Sequence, residues 1–423
     1  MGVKSKLKIK TLYLTLSVFH VKIYLFLSMG RYSREKDCYV NAFMMKMYDT
    51  QHIERVVLAQ LVTARHDPAE SADSLLELAR LADTAGFEVA GQITQNREKP
   101  DGGTMFGTGK VEHLGQLVEE TQANGVMFDN PLNAIQAYNL SRALPGIRIM
   151  DRTEVILEIF ARRARSAEAQ VQVELAQLEF QLSRIPVIEE QQRFKGGIGM
   201  KGPGESHLQL RNAPIRRRIS ELRKKLATIQ ARQTSLHRKD KREMPVVSMV
   251  GYTNAGKSTL LNTLAGSDAY VDDRLFATLD TKTRLVWLAE TRKLLLTDTV
   301  GFIRHLPHGL VASFKSTLDV AVQADLLMIV VDAAYPRVDD HIAVCYKTLR
   351  EIGAHDVPHV LVLNKCDRGA ADTALLHVTE KYPHAIPVSA KTGHGLDVLK
   401  QVLIQELQKC CTLWQLPSAT SRI

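Results

Sequence analysis

From Arg55 onward, short apolar runs alternate with longer stretches whose apolar positions recur every three or four residues. RVVLAQLV, FEVAGQITQ, GVMFDN and GIRIMD have strand length and strand composition. SADSLLELARLADTAG, GKVEHLGQLVEETQANG and PLNAIQAYNLSRAL carry the helical period between them, the first two closing on a glycine. Strands separated by helices of this length predict a small parallel α/β domain over 55–150.

The pattern then changes. Val171, Leu175, Leu178 and Leu182 are spaced four, three, four, and Ile215, Ile219, Leu222, Leu226 and Ile229 repeat four, three, four, three. Such spacing predicts the a/d seam of two helices paired as a short coiled coil, a helical hairpin over 151–243. Between them lies FKGGIGMKGPGES, with Gly196, Gly197, Gly199, Gly202 and Gly204 around Lys201. So many glycines cannot continue a helix, so the segment reads either as a plain connector or as a loop able to approach another backbone closely. HRKDKRE reads as a charged linker. Beyond it MPVVSMVG, KLLLTDT, LLMIVVDA, HVLVLNK and AIPVS are strand candidates with helical patterns between them. They predict a second parallel sheet with helices on both faces, a Ras-like P-loop domain over 244–407. The fold class is therefore α/β, with 1–54 set apart as an extension and 408–423 as a tail.

Three motifs carry chemistry. VVSMVGYTNAGKST places Gly251, Gly256, Lys257 and Ser258 on the G-x-x-x-x-G-K-[ST] pattern between a strand and a helix. Backbone N–H groups from Gly251, Tyr252, Thr253, Asn254, Ala255, Gly256 and Thr259 can curl round phosphates there, with Lys257 neutralising charge and the Ser258 hydroxyl on Mg²⁺. LLLTDTVGF supplies Asp298, forty residues after Ser258, for the magnesium shell, and Gly301 for the γ-phosphate. HVLVLNKCD brings Asn364, Lys365 and Asp367 to the end of a third strand. The Asp367 carboxylate can accept from guanine N1–H and the exocyclic amine, a donor pair adenine lacks, while Ser389, Ala390 and Lys391 stand where guanine O6 needs an N–H. In this order the motifs predict a GTP-hydrolysing enzyme and exclude kinases and ATPases.

Two positions are unusual. Phe302 follows DTVG where a water-orienting glutamine would act, so hydrolysis by the chain alone is expected to be slow. Asn254 has two readings, a K⁺ ligand or a turn residue.

Charge changes the picture further. The net charge is +9, and between Arg184 and Glu243 sixteen Lys/Arg stand against six Asp/Glu, so this window supplies the whole excess. A polyanionic partner, nucleic acid first, fits it. Five cysteines without a CxxC pair exclude a disulfide framework and suit a reducing cytoplasm. Residues 11–29 hold ten Leu, Ile, Val and Phe, each contributing about −0.3 to −0.6 kcal/mol to insertion, against a cost of roughly +3 for Lys22 alone, with His20 adding more. The balance is near zero, so no stable membrane association is expected. Residues 1–43 are expected to contribute nothing to function.

From Arg55 onward the chain resembles the HflX family of ribosome-associated GTPases. The resemblance rests on MDRTEVILEIFARRARSAEAQVQVELAQLEFQLSRI, GGIGMKGPGES, GYTNAGKST, LFATLDTKTR, DTVGFI and NKCD, and covers roughly 365 of 423 residues. It implies contact of the N-terminal domain and hairpin with the large ribosomal subunit, a G domain that responds to that contact, and release or splitting of stalled ribosomes. It implies a switch-I threonine at Thr278, a further ligand for the Mg²⁺ that the motifs call for as cofactor, while K⁺ at Asn254 is the second candidate ion. The chain departs from the family at Thr281, where proline is usual, and at HLQLRNAPIRRR, where acidic residues are usual. GTP and GDP, the large subunit and a monomeric cytoplasmic state are the expectations. A membrane-associated regulatory switch, peripheral at the membrane, and an RNA-remodelling GTPase away from the ribosome are the alternatives.

Overall fold

The computed structural model describes residues 55–64, 67–185, 207–240, 244–266, 275–276, 281–304, 315–368 and 378–410. The extension, the glycine-rich loop and Thr278 lie outside them.

The first sheet has the order β2-β1-β3-β4, built from β1 (Arg55–Val62), β2 (Glu88–Asn96), β3 (Gly125–Phe128) and β4 (Arg148–Asp151), all parallel. β1 is central and buried on both faces, which its unbroken apolar run requires. Helices α1 (Pro68–Thr84), α2 (Thr108–Thr121) and α3 (Ala134–Ala143) make the crossovers. Local chemistry sets their starts. Asp67 accepts from Ala69 N ahead of Pro68, and Asn133 with Gln136 forms a capping box.

After β4, Asp151 accepts from Glu154 N at 3.1 Å and starts α4 (Arg152–Arg163). This helix buries Val155, Ile156, Ile159 and Phe160 in the core of the first sheet. A second cap at Ser166 starts α5 (Ala167–Arg184), which pairs with α6 (His207–Asp240). One cluster holds all nine seam residues expected from the spacing, with Val171, Leu175, Ile219 and Leu222 buried at its centre. Arg218 and Arg223 reach across to Glu174 and Glu179, both at 2.7 Å. Helix α6 runs through His237–Asp240, so most of the expected linker is helical.

The second sheet, order β10-β9-β8-β5-β7-β6, contains β5 (Val246–Gly251), β6 (Lys282–Ala289), β7 (Arg292–Asp298), β8 (Leu326–Asp332), β9 (His359–Asn364) and β10 (Ile386–Pro387). Helices α7 (Lys257–Ala265) and α10 (Leu396–Cys410) share one core cluster with it, and α9 (Val338–Glu351) lies in another. Helix α8 (Lys315–Val322) precedes β8. The edge strand β6 is antiparallel to β7. The sequence reading missed it and expected parallel strands throughout.

Candidate functional site

The P-loop runs from β5 into α7, at the point where the second sheet turns outwards to β7 on one side and β8 on the other. Gly256 sits at φ 89°, and a Cβ there would come within 2.3 Å of Asn364 Nδ2. Only glycine permits this approach. It lets Asn364 tie two loops together, donating to Ala255 O at 2.8 Å and accepting from Ala390 N at 3.0 Å.

Lys257 is buried and donates to the carbonyls of Gly251 (3.1 Å) and Tyr252 (3.0 Å). Burial lowers its pKa, and Asp298 opposes that shift. Ser258 Oγ donates to Asp298 Oδ2 at 2.6 Å, so a hydroxyl and a carboxylate, both hard oxygen donors able to hold a magnesium ion, stand together. Thr259 follows on α7, and the exposed Asn254 adopts φ 58°, as a turn residue does.

At the other end of the pocket Lys365 Nζ bonds Asn254 O (2.6 Å) and Asp332 (2.8 Å), holding the NKCD strand end against the P-loop. Ser389 Oγ donates to Asp367 Oδ1 at 2.6 Å, and this bond lowers the pKa of the exposed carboxyl. A deprotonated acceptor is thereby set at the mouth. The exposed Lys391 follows two residues after Ser389. The structure thus brings the three motifs together. Of the expected site residues, Thr278 and the loop residues Gly196, Gly197, Gly199, Lys201, Gly202 and Gly204 lie outside the described ones.

The DTVGF segment, 298–302, here called switch II, lies directly on the P-loop. Phe302 N donates to Gly251 O (2.9 Å) and Phe302 O accepts from Thr253 N (2.7 Å). Close approach again requires glycine, since a Cβ on Gly301 would stand 2.8 Å from Thr253 Cα. The Phe302 ring is buried among Val250, Leu327 and Ile329, turned into the core.

Sequence reasoning missed what lies behind this loop. The Tyr252 side chain points away from the pocket. Its hydroxyl donates to Glu77 of α1 and accepts from Arg304 N at 3.0 Å. Its ring stacks on His341 (3.7 Å between centroids), which stacks on Tyr335 (4.0 Å), and the Tyr335 hydroxyl reaches Asp73, one helical turn before Glu77. Arg152, buried at the start of α4, completes the network: it bonds Glu77 at 2.7 Å, Asp129 at 2.7 Å and the Ser74 carbonyl at 2.8 Å. Burial alone would lower its pKa, but Asp129 and Glu77 together raise it. Apolar contacts follow the same line. Tyr252, Leu275, Phe276, Val300 and Ile303 belong to the core cluster of the first sheet, and Phe276 meets Phe160 edge-on at 4.7 Å. The P-loop, the segment leading to Thr278 and switch II are all seated on the first α/β region. The one signal for this was the MDRTEV stretch, which carries Arg152.

Family models match three consecutive stretches: GTP-binding GTPase N-terminal over 72–161, GTP-binding GTPase Middle Region over 163–241, and 50S ribosome-binding GTPase over 246–365. The GTPase HflX of Caldanaerobacter subterraneus subsp. tengcongensis is 45% identical over 359 residues, 84% of this chain and 81% of that protein. The chain belongs to the HflX family of GTPases. The GTPase HflX of Escherichia coli (strain K12) is 40% identical over 367 residues, 86% of this chain and 85% of its own length. A GTP-binding protein of Sulfolobus solfataricus, solved with GDP, aligns with a TM-score of 0.44 at 25% identity, covering 84% of this chain and 99% of that one. As an HflX GTPase the chain hydrolyses GTP. Among its described residues no helix is long and apolar enough to cross a membrane.

Proposed function

We propose that this GTPase acts in the cytoplasm on the large ribosomal subunit, separating or rescuing stalled ribosomes, with hydrolysis timing its departure. The observation that carries the reading is the hairpin, where Arg216, Lys224 and Lys225 are exposed along α6 beside Arg217, Arg218 and Arg223, which are exposed and ion-paired with Glu221, Glu174 and Glu179. A basic helix of this kind suits a phosphate backbone, and its affinity should fall steeply with salt. The family description of residues 246–365 as a 50S ribosome-binding GTPase supports the same partner. The glycine-rich segment between α5 and α6 in sequence is assigned to close contact with RNA.

In the pocket, Lys257 and the P-loop amides hold the phosphates, and Gly301 N–H meets the γ-phosphate. Ser258 and Asp298, with Thr278, are assigned to Mg²⁺, which when bound offsets charge on the β- and γ-oxygens. Asp367 reads the guanine N1–H and amine, and a backbone N–H of the 389–391 segment its O6. The buried Phe302 cannot orient water, so the chain alone hydrolyses slowly and ribosomal particles raise the rate. Asn254 is assigned to K⁺ as a supplementary charge in the same pocket.

Sedimentation of the purified chain with large subunits tests the reading. Co-pelleting with a non-hydrolysable GTP analogue and release with GDP is expected. Absence from the subunit fraction with both nucleotides overturns it, and pelleting with membranes instead would favour the anchored switch.

A further inference from the structure

The P-loop and switch II, which meet at the phosphate end of the pocket, hold three buried hydroxyls, those of Tyr252, Thr253 and Thr299. Two of them are committed. The Tyr252 hydroxyl is held between Glu77 and Arg304 N, and Thr299 Oγ1 donates to Met249 O at 2.7 Å. Thr253 Oγ1 is shielded from solvent and makes no hydrogen bond among the described residues. A buried hydroxyl left unpaired is costly, so its presence at the phosphate end of a nucleotide pocket calls for a partner that arrives with the substrate.

Its place says which part of the substrate that is. A Cβ built on Gly301 would lie 2.8 Å from Thr253 Cγ2 and 3.1 Å from Lys257 Nζ, so the threonine side chain and the P-loop ammonium border one point. The hydroxyl is carried by the same carbon as that methyl. Thr253 N also donates to Phe302 O at 2.7 Å, which keeps switch II over the side chain. For Gly301 N–H to meet a γ-phosphate this contact has to open, and the opening uncovers the hydroxyl beside the group to be transferred. No switch II side chain competes for the attacking water there: the Phe302 ring is turned into the core, and Thr299 is spent on Met249 O. A hydroxyl has one hydrogen to give and two lone pairs, enough to bond a γ-oxygen and a water at once.

We propose that Thr253 is a further catalytic residue, whose hydroxyl donates to a γ-phosphate oxygen and accepts from the attacking water that Phe302 cannot orient. The water oxygen bonds to the γ-phosphorus as the bond to the GDP oxygen breaks. One water hydrogen stays on the released phosphate, the other leaves as a proton by way of a γ-oxygen, and the threonine keeps its own. The proposal rests on the reading that puts Gly301 N–H at the γ-phosphate.

The full-length protein is compared with Thr253→Val, which keeps nearly the same shape without the hydroxyl, and Thr253→Ser, which keeps the hydroxyl. Single-turnover hydrolysis is measured beside the affinities for GDP and for a non-hydrolysable GTP analogue, and beside the thermal midpoint. Because the hydroxyl is spent on nothing while switch II covers it, Thr253→Val is expected to leave GDP affinity and the midpoint near the unmodified values and to slow hydrolysis about tenfold. Thr253→Ser is expected to keep most of the rate. An unchanged rate in Thr253→Val, a loss of GDP affinity as large as the loss of rate, or a serine variant as slow as the valine one overturns the assignment. Gly301→Ala tests the underlying reading separately. A Cβ there cannot coexist with the resting contact, so the ratio of analogue to GDP affinity is expected to change. An unchanged ratio removes Gly301 from the γ-phosphate, while the rate of the valine variant still decides on Thr253.

Discussion

At the carboxyl ends of β5, β7, β8 and β9, polar groups gather round a space between loops: Lys257, Ser258 with Asp298, Asn364, and Asp367 at the mouth. At the carboxyl ends of β1, β3 and β4 the first sheet has the same parallel construction, and β1 is likewise flanked by strands on both sides. There the space is filled from within. Gln60 and Ser74 both donate to Asp129, Arg152 bridges Asp129 to Glu77, and the P-loop tyrosine of the other region takes the remaining carboxylate oxygen. Two sheets obeying one rule of topology thus serve different ends. One leaves its crevice to a ligand, and the other neutralises its crevice and uses it as a seat for the loops of the first. Topology places a crevice, and side-chain chemistry decides whether it stays open.

The largest way to break this comparison is to reopen the first crevice. Arg152→Ala strands Asp129 and Glu77 as buried charges, and a loss of about 3–5 kcal/mol is expected, a large share of the stability of a domain. Denaturant midpoints measure it. Arg152→Lys should recover little, because an ammonium cannot span both carboxylates as the guanidinium fork does.

On the open side, Asp367→Asn is expected to cost about 3 kcal/mol of preference for guanine over adenine nucleotides, roughly a hundredfold. Competition between GTP and ATP measures the change, and unaltered selectivity would remove Asp367 from base readout.

His341 sharpens the boundary between the two regions. Burial first, then Arg304, with Arg80 and Lys365 adding to it, pushes its pKa down to about 3 from 6.5. The folded protein keeps the imidazole neutral, while the unfolded chain takes up a proton below about pH 6.5. Stability is therefore lost as pH falls from 6.5 towards 3, by about 1.4 kcal/mol per unit from this group. Denaturation from pH 7 to pH 5 should show that slope, and His341→Phe should flatten it while keeping a ring between Tyr252 and Tyr335.

The smallest effect concerns Asn254. K⁺ is expected to stimulate hydrolysis a few-fold over Na⁺, roughly 1 kcal/mol at the barrier. Equal rates would remove the K⁺ assignment and leave the GTPase intact.

Much of this was legible in the sequence because it is local. The a/d spacing named every residue of the hairpin seam, and three motifs at strand ends named the residues that now surround the pocket. Strand β6 was missed because its outward positions hold leucine and tryptophan, which hides the alternation of a half-buried strand. The seat on the first region was missed for another reason. Glu77 and Tyr252 are 175 residues apart, and Asp73 and Glu77 look like the wet face of an amphipathic helix. Periodicity reports which side of an element is apolar and carries no record of which distant element its polar side will meet.

The central claim is that the first region holds the nucleotide-sensing backbone through the Tyr252 hydroxyl. A double-mutant cycle of Glu77→Ala and Tyr252→Phe, read as the affinity for a GTP analogue relative to GDP, tests it most directly. Gly301 rests against Thr253; on the proposed role of its N–H at the γ-phosphate it must come free, so each single change is expected to raise the ratio several-fold. The pair should raise it no further than one alone, a coupling of about 1 kcal/mol or more. Ratios that stay at the unmodified value, or effects that simply add, would contradict the account.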